Sequence, residues 1–129
     1  MKAVTTNIGG NNHLLALTAE AMFEIEEKHG SVSNLFEKLE VEGKESFLII
    51  SETVELLAEH AELARRHLGH SPKDTIKAET VRALTQPKDT PNLVDAIARA
   101  ITRGFGKDIE RDEADVDIVL SELEEKKTQ

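Results

Sequence analysis

The sequence predicts a mainly α-helical, compact multi-helix domain of five to six helices with a short N-terminal β-hairpin. Length is the first reason, since 129 residues suit one domain with one core. Composition is the second: 39% of the residues are apolar and 32% are charged, which is typical of a small, highly soluble helical protein. The third is spacing, because apolar residues recur every three or four positions along most of the chain.

The N-terminal residues carry the pattern of a hairpin. Val4, Thr6 and Ile8 alternate, residues 9–12 are Gly-Gly-Asn-Asn, and a second apolar run covers 13–17. Glycine and asparagine tolerate the positive φ angles of tight hairpin turns. Because an isolated two-stranded hairpin is only marginally stable, we expect it to pack on the helices.

Two helices are predicted next. Thr18 is a suitable N-cap for a helix over 19–29, and Gly30 is a suitable stop. A second, shorter helix, capped by Ser31 or Ser33, carries Leu35, Phe36 and Leu39.

A long helix is predicted over 45–68, ended by Gly69 and the Ser71-Pro72 pair. Its apolar residues alternate in steps of three and four over three heptads, which predicts a seam that packs against other helices. We expect this seam to belong to the core, with a homo-oligomer interface as the alternative. The seam consists of Phe47, Ile50, Val54, Leu57, Ala61, Ala64 and Leu68.

Two further helices complete the predicted domain. A short helix over 74–84 is followed by a proline-containing loop. Thr90 and Pro91 then provide an N-cap and a favoured first residue for a helix over 91–103, and Gly104 ends it.

The charge distribution divides the chain into a domain and a C-terminal segment. Residues 1–107 form the helical domain with its hairpin and carry a net charge of -3, whereas residues 108–129 carry -6 of the total of -9. We expect 108–129 to be an acidic C-terminal helix or tail and a candidate for a mobile segment. The apolar residues at helical spacing there are Val116, Val119, Leu120 and Leu123.

No catalytic, cofactor-binding or metal-binding residues are expected. The chain has no Cys, which excludes disulfides, thiolate zinc sites and a Cys nucleophile. His60 and His67, seven residues apart on the long helix, would lie about 10 Å apart along its axis, too far to share an ion. We expect both to face solvent or to cap a helix end. The glycine clusters match no phosphate-binding motif, so the protein is not expected to be an enzyme.

Three stretches together resemble the tail assembly chaperones of long-tailed bacteriophages and prophages, in their Gram-positive type. The first, residues 8–39, is IGGNNHLLALTAEAMFEIEEKHGSVSNLFEKL, short strands followed by a helix with an acidic ending and then a Leu-rich helix. The second, residues 93–108, is LVDAIARAITRGFGKD. The third, residues 112–129, is DEADVDIVLSELEEKKTQ.

This resemblance implies a non-catalytic function in phage tail assembly. Such chaperones are made in the host cytoplasm, bind the tape measure protein, keep it soluble and help to recruit tail tube protein. They are absent from the finished virion. In many of these phages a translational frameshift near the end of the gene adds a second domain, and Lys126-Lys127 is compatible with a slippery adenine run.

A chaperone function predicts an apolar surface for protein–protein interaction. We expect that surface on the last predicted helix and the C-terminal segment, and no binding of nucleic acid or membrane, because the chain is acidic and lacks a long apolar run. The alternatives are a small helical regulator or DNA-binding module, and a structural homo-oligomer built on the long helix seam. The expected partner-binding residues are Leu93, Ile97, Ile101, Phe105, Val116, Leu120 and Leu123.

Overall fold

Two short strands lead into a series of helices, and a third strand lies near the C-terminus. The computed structural model describes residues 1–107 and 115–118. It confirms the mainly α-helical domain with an N-terminal hairpin. The elements are β1 (Lys2–Ile8), β2 (Asn11–Leu15), α1 (Ala19–His29), α2 (Val32–Glu40), α3 (Lys44–His67), α4 (Ala78–Leu84), α5 (Thr90–Gly104) and β3 (Asp115–Asp117), with a 3-10 turn at Pro87–Asp89 before α5.

The hairpin turns at Gly9 and Gly10, whose φ angles are 61° and 89°. A two-residue hairpin turn of type I′ needs positive φ at both central positions, and glycine adopts it without steric cost. The strands pair antiparallel, and the Asn7 side chain accepts a hydrogen bond from the Gly10 N–H at 3.2 Å. The predicted hairpin is therefore confirmed.

The third strand differs from the expectation of a C-terminal helix. β3 pairs antiparallel with β1, with Ala3 opposite Val116 and Lys2 opposite Asp117, so the sheet order is β2-β1-β3. The sequence over 115–118 alternates acidic and apolar residues, which is the strand period of two. The helical spacing that starts at Val116 is wrong for 115–117, and the rest of that predicted helix, from Val119 on, lies outside the described residues.

The long helix α3 supplies the centre of the core. It packs against α2, α4, α5 and β2, and near its middle the Leu57 C=O accepts from the Ala16 N–H at 3.2 Å. Most of the predicted seam is buried within the chain itself, whereas Leu68 is exposed. The buried seam residues are Ile50, Val54, Leu57 and Ala61.

Helix boundaries follow the local capping groups. The Thr18 hydroxyl accepts from the Ala21 N–H at 3.1 Å, and of the two candidate serines it is Ser31 that caps α2, accepting from the Asn34 N–H at 3.0 Å. Helix α4 begins at Ala78, four residues later than predicted, because the Glu55 carboxylate accepts from the Ala78 N–H. Among the described residues, no helix is long and apolar enough to cross a membrane.

Candidate functional site

An apolar opening lies between α2 and α5, and we call it the α2/α5 face. Helix α2 packs against α1 and α3, and α5 packs against β1 and α3. Two apolar hollows lie between them. The first, which we call the proline end hollow, is bounded by the C-terminal half of α2, the start of α3 and the start of α5. The second, which we call the Phe105 end hollow, is bounded by the start of α2 and the end of α5.

The proline end hollow measures about 720 Å³. Val41 on its rim is 64% exposed. Two of its wall residues are Pro87 and Pro91, whose rings are apolar and which have no backbone N–H donor. The apolar residues around it are Leu39, Val41, Phe47, Ile50, Pro87, Pro91 and Val94.

The Phe105 end hollow measures about 420 Å³. Phe105, the residue after α5, is 50% exposed, and Phe36 of α2 is half-buried opposite it. Val32 and Ile101 complete the apolar wall. Two of the four phenylalanines of the chain therefore present ring surface at one end of this face.

Both hollows are lined by α2 and α5. The C-terminal part of α2 and the start of α5 line the proline end hollow, whereas the start of α2 and the end of α5 line the Phe105 end hollow. Helices α2 and α5 therefore run in opposite directions along this face. The nine residues of α2 correspond to about 13 Å of helix axis. A docked helix of about three turns would reach from one hollow to the other.

Among the described residues that line the two hollows, those at the two ends carry opposite charges. Glu40 and Glu42 line the proline end hollow, and both are exposed. Lys107 lines the Phe105 end hollow and is exposed. The face is therefore electrostatically polar along its length.

The structure divides the expected partner-binding residues. Leu93 and Ile97, expected to bind a partner, are buried in the core, and α5 packs on β1 and α3. Ile101 is also a buried core residue, but it forms part of the wall of the Phe105 end hollow. Phe105 is exposed there. Val116 is half-buried in β3, and Leu120 and Leu123 lie outside the described residues.

The sequence prediction missed the contribution of α2 and the connection that follows it. The amphipathic pattern of α2 was visible in the sequence, but it places Leu35 and Leu39 in the core and leaves Phe36 at the edge. Val41, between Glu40 and Glu42, was a usable signal, because an apolar residue flanked by acids just after a helix has no core to enter.

A polar cluster on the far half of α3 has a different character. Buried Glu62 accepts from the Lys73 N–H at 2.7 Å, from Arg66 Nε at 3.3 Å and from Arg65. Burial alone would raise the pKa of this carboxyl, but the Lys73 N–H and the two guanidinium groups outweigh it and hold the pKa below its usual value. The cluster fixes the segment between α3 and α4 to the helix.

His60 is buried, which corrects the expectation that it faces solvent or caps a helix end. Its Nε2 lies 3.1 Å from Glu24 Oε2 and its Nδ1 lies 3.3 Å from the Thr18 hydroxyl. A carboxylate oxygen accepts, so Nε2–H is the donor to Glu24, and Nδ1 lies within hydrogen-bond distance of the Thr18 hydroxyl. The Thr18 oxygen also accepts from the Ala21 N–H, so this set of groups ties α1 to α3.

Among the residues that the structure describes, no group of three or more His, Asp or Glu side chains is placed to hold a metal ion. Comparisons with protein families, with curated proteins and with solved structures find no match to this chain.

Proposed function

We propose that this protein is a tail assembly chaperone of a long-tailed phage or prophage and that it binds apolar helices of the tape measure protein on the α2/α5 face. The observation that carries the proposal is the exposed apolar surface at both ends of one helix pair, at Val41 and at Phe105. The resemblance of three sequence stretches to such chaperones supplies the identity of the partner.

The geometry suits the helix-in-groove mode of recognition. In that mode an amphipathic helix places side chains from successive turns into apolar pockets. Two hollows at opposite ends of a face about 13 Å long would take side chains roughly two to three turns apart. The net charge of -9 keeps the complex soluble while the apolar side of the client is covered.

The charge polarity of the face favours one direction of the bound helix. A helix carries a partial positive charge at its N-terminus and a partial negative charge at its C-terminus. Glu40 and Glu42 therefore favour the N-terminus of the client, or basic side chains near it, at the proline end. Lys107 favours the client C-terminus at the Phe105 end.

The remaining parts of the proposal follow from the family resemblance. The protein acts without catalysis, in the cytoplasm of the host, helps to bring tail tube protein to the tape measure protein, and is left out of the virion. A frameshifted longer product belongs to the same proposal, and mass spectrometry of the expressed gene tests for it. Gene order is an independent test, with a tube gene upstream and a tape measure gene downstream as the expected result.

The direct test is co-expression with the neighbouring tape measure protein. We expect wild-type chaperone to keep the tape measure protein in the soluble fraction and to co-purify with it. Val41→Asp and Phe105→Asp, together, should reduce the co-purified amount at least about tenfold, because each places a charge in a hollow that must be desolvated.

Phe23→Asp is the matched control. Phe23 is 62% exposed, like the two target residues, but it lies on α1 and lines neither hollow. It should leave co-purification unchanged. Equal capture by the double variant and the control would contradict the proposed site, and no capture by folded wild-type protein would contradict the proposed function.

A further inference from the structure

The strand β3 occupies one edge of the sheet with only three residues, Asp115–Asp117. It pairs with β1, and the next residue extends the contact, since the Ile118 N–H donates to the Met1 C=O at 3.0 Å. Residues 108–114 separate this short segment from the end of the helical domain. A short terminal strand of this kind holds few of the hydrogen bonds that stabilise a sheet.

Ile118 fills a small apolar cluster that is separate from the main core. It is 1% exposed and packs with Ala3, Ala16 and Ala61, with half-buried Leu14 at the side. Each alanine contributes one methyl group, so Ile118 is the large side chain that fills the space between them. The main core is formed by other residues.

The β1 edge also carries positive charge opposite the acidic segment that covers it. The N-terminal amino group lies 3.6 Å from Asp117 Oδ1, and Lys2 stands opposite Asp117 in the strand register. Backbone pairing, one apolar cavity and two positive charges are the three components of a site for an extended peptide.

We infer that the β1 edge and the alanine-lined cavity beside it form a strand-acceptor site. In the free protein, Asp115–Ile118 of the same chain covers this site. An extended acidic segment of a partner protein occupies it when that segment displaces β3. The partner segment has the pattern acidic, branched apolar, acidic, branched apolar, which is the pattern of the covering strand. Recognition is by strand addition, and it is independent of the α2/α5 face.

Because β3 covers the site within the same chain, it competes with any added strand for the β1 edge. A ligand that binds only the uncovered state has its affinity lowered by the fraction of molecules in which the site is open. Weakening the cis strand must therefore tighten the binding of an added strand, an outcome that a purely structural β3 would not give.

The first test measures binding of a fluorescein-labelled peptide, EADVDIV, which corresponds to residues 113–119, to the full chain by fluorescence anisotropy. Ile118→Ala should bind it at least about tenfold more tightly than wild type, because truncation of a buried isoleucine weakens the cis strand. Asp117→Lys, which retains the apolar anchor and opposes Lys2, is the second variant and should shift the affinity in the same direction. A peptide with the isoleucine replaced by Asp is the control and should not bind.

The second test uses an engineered disulfide to hold the strand-acceptor site closed and reduction of that disulfide to open it. The chain has no Cys, so Lys2→Cys with Asp117→Cys places a single thiol pair at opposite positions of β1 and β3, within the Cα separation that a disulfide needs. The oxidised protein should not bind the peptide, and reduction should restore binding.

Equal peptide affinity of wild type and both weakened variants would overturn the inference, as would unchanged binding to the oxidised disulfide variant. A dimer that Ile118→Ala dissolves, without any peptide binding, would assign the edge to a second copy of the chain and would also overturn it. These outcomes leave the proposed chaperone function untouched, because the α2/α5 face is intact in every variant used.

Discussion

The two ends of α3 meet the rest of the chain in different ways. At the C-terminal end, the segment between α3 and α4 is held by charged hydrogen bonds to Glu62, Glu59 and Glu55. At the N-terminal end, Phe47 stands beside an apolar hollow that no described segment fills. The first region is closed by polar contacts that satisfy one another, and the second is an apolar surface open to solvent.

The two regions should therefore contribute differently: the first stabilises the fold, and the second is available to bind a partner. In the first region polar contacts act together with one buried apolar side chain, Ile76, and hydrogen bonds to a buried charged group are strong and costly to break. An open apolar hollow contributes little to the fold, and its burial is available to a partner. Substitutions in the closed region should therefore affect folding, and substitutions on the open face should affect binding.

The largest expected effect on stability is at Glu62. Glu62→Gln removes the charge from a buried carboxylate with three donors, and we expect a loss of about 2 kcal/mol in the free energy of unfolding. Urea denaturation measures it. Glu59→Gln, at a partly exposed position with a single 3.3 Å contact to Lys77, is the control and should change stability by less than about 0.5 kcal/mol. Similar losses for both would contradict the assigned network.

The pH dependence of stability should report the same carboxylate. The pKa of Glu62 is lower in the folded protein than the usual glutamate value of about 4.3, so the unfolded chain takes up the proton first as pH falls. Its contribution is fully present above about pH 4.3 and is lost as pH falls through the lower folded-state pKa. Urea midpoints between pH 6 and pH 3 should fall less steeply for Glu62→Gln than for wild type. Parallel curves would show that Glu62 does not titrate as described.

Substitutions of exposed residues on the α2/α5 face should barely change the stability of the fold. Val41→Asp and Phe105→Asp alter exposed side chains, so we expect each to change the free energy of unfolding by less than about 0.5 kcal/mol. Thermal unfolding followed by circular dichroism measures it. A loss comparable to that of Glu62→Gln would place these residues in the core of the fold and would remove the distinction between the two regions.

The smallest expected effect concerns the charge at the end of the face. Reversing Glu40 and Glu42 to Lys should weaken client binding about two- to fivefold at low salt, because contacts between exposed charges contribute roughly 0.3 to 1 kcal/mol. The difference should shrink as salt rises. An affinity unchanged at low salt would contradict the proposed direction of the bound helix.

Local signals predicted much of the fold. Thr18, Gly30 and the Gly9-Gly10 pair act through groups within a few residues, so α1 and the hairpin could be placed from sequence. The start of α4 could not, because it depends on Glu55, 23 residues away in the chain. The strand β3 was missed for the same reason, since its partner strand lies more than a hundred residues earlier.

The site was predicted less well than the fold. The periodicity of α5 shows that it has an apolar side, but not whether that side faces the core or a partner. Leu93 and Ile97 face the core because β1 lies against them. The exposed residues Phe105 and Val41 lie just after helices, where periodicity no longer constrains them.

Hydrogen exchange of the full chain, alone and in complex with the tape measure protein, tests whether the client binds on the α2/α5 face. We expect slower exchange on binding in this face, over residues 36–47 and 90–105, and no change over 69–77, where the segment is already held by Glu62. Protection over 69–77 with none on the α2/α5 face would contradict it.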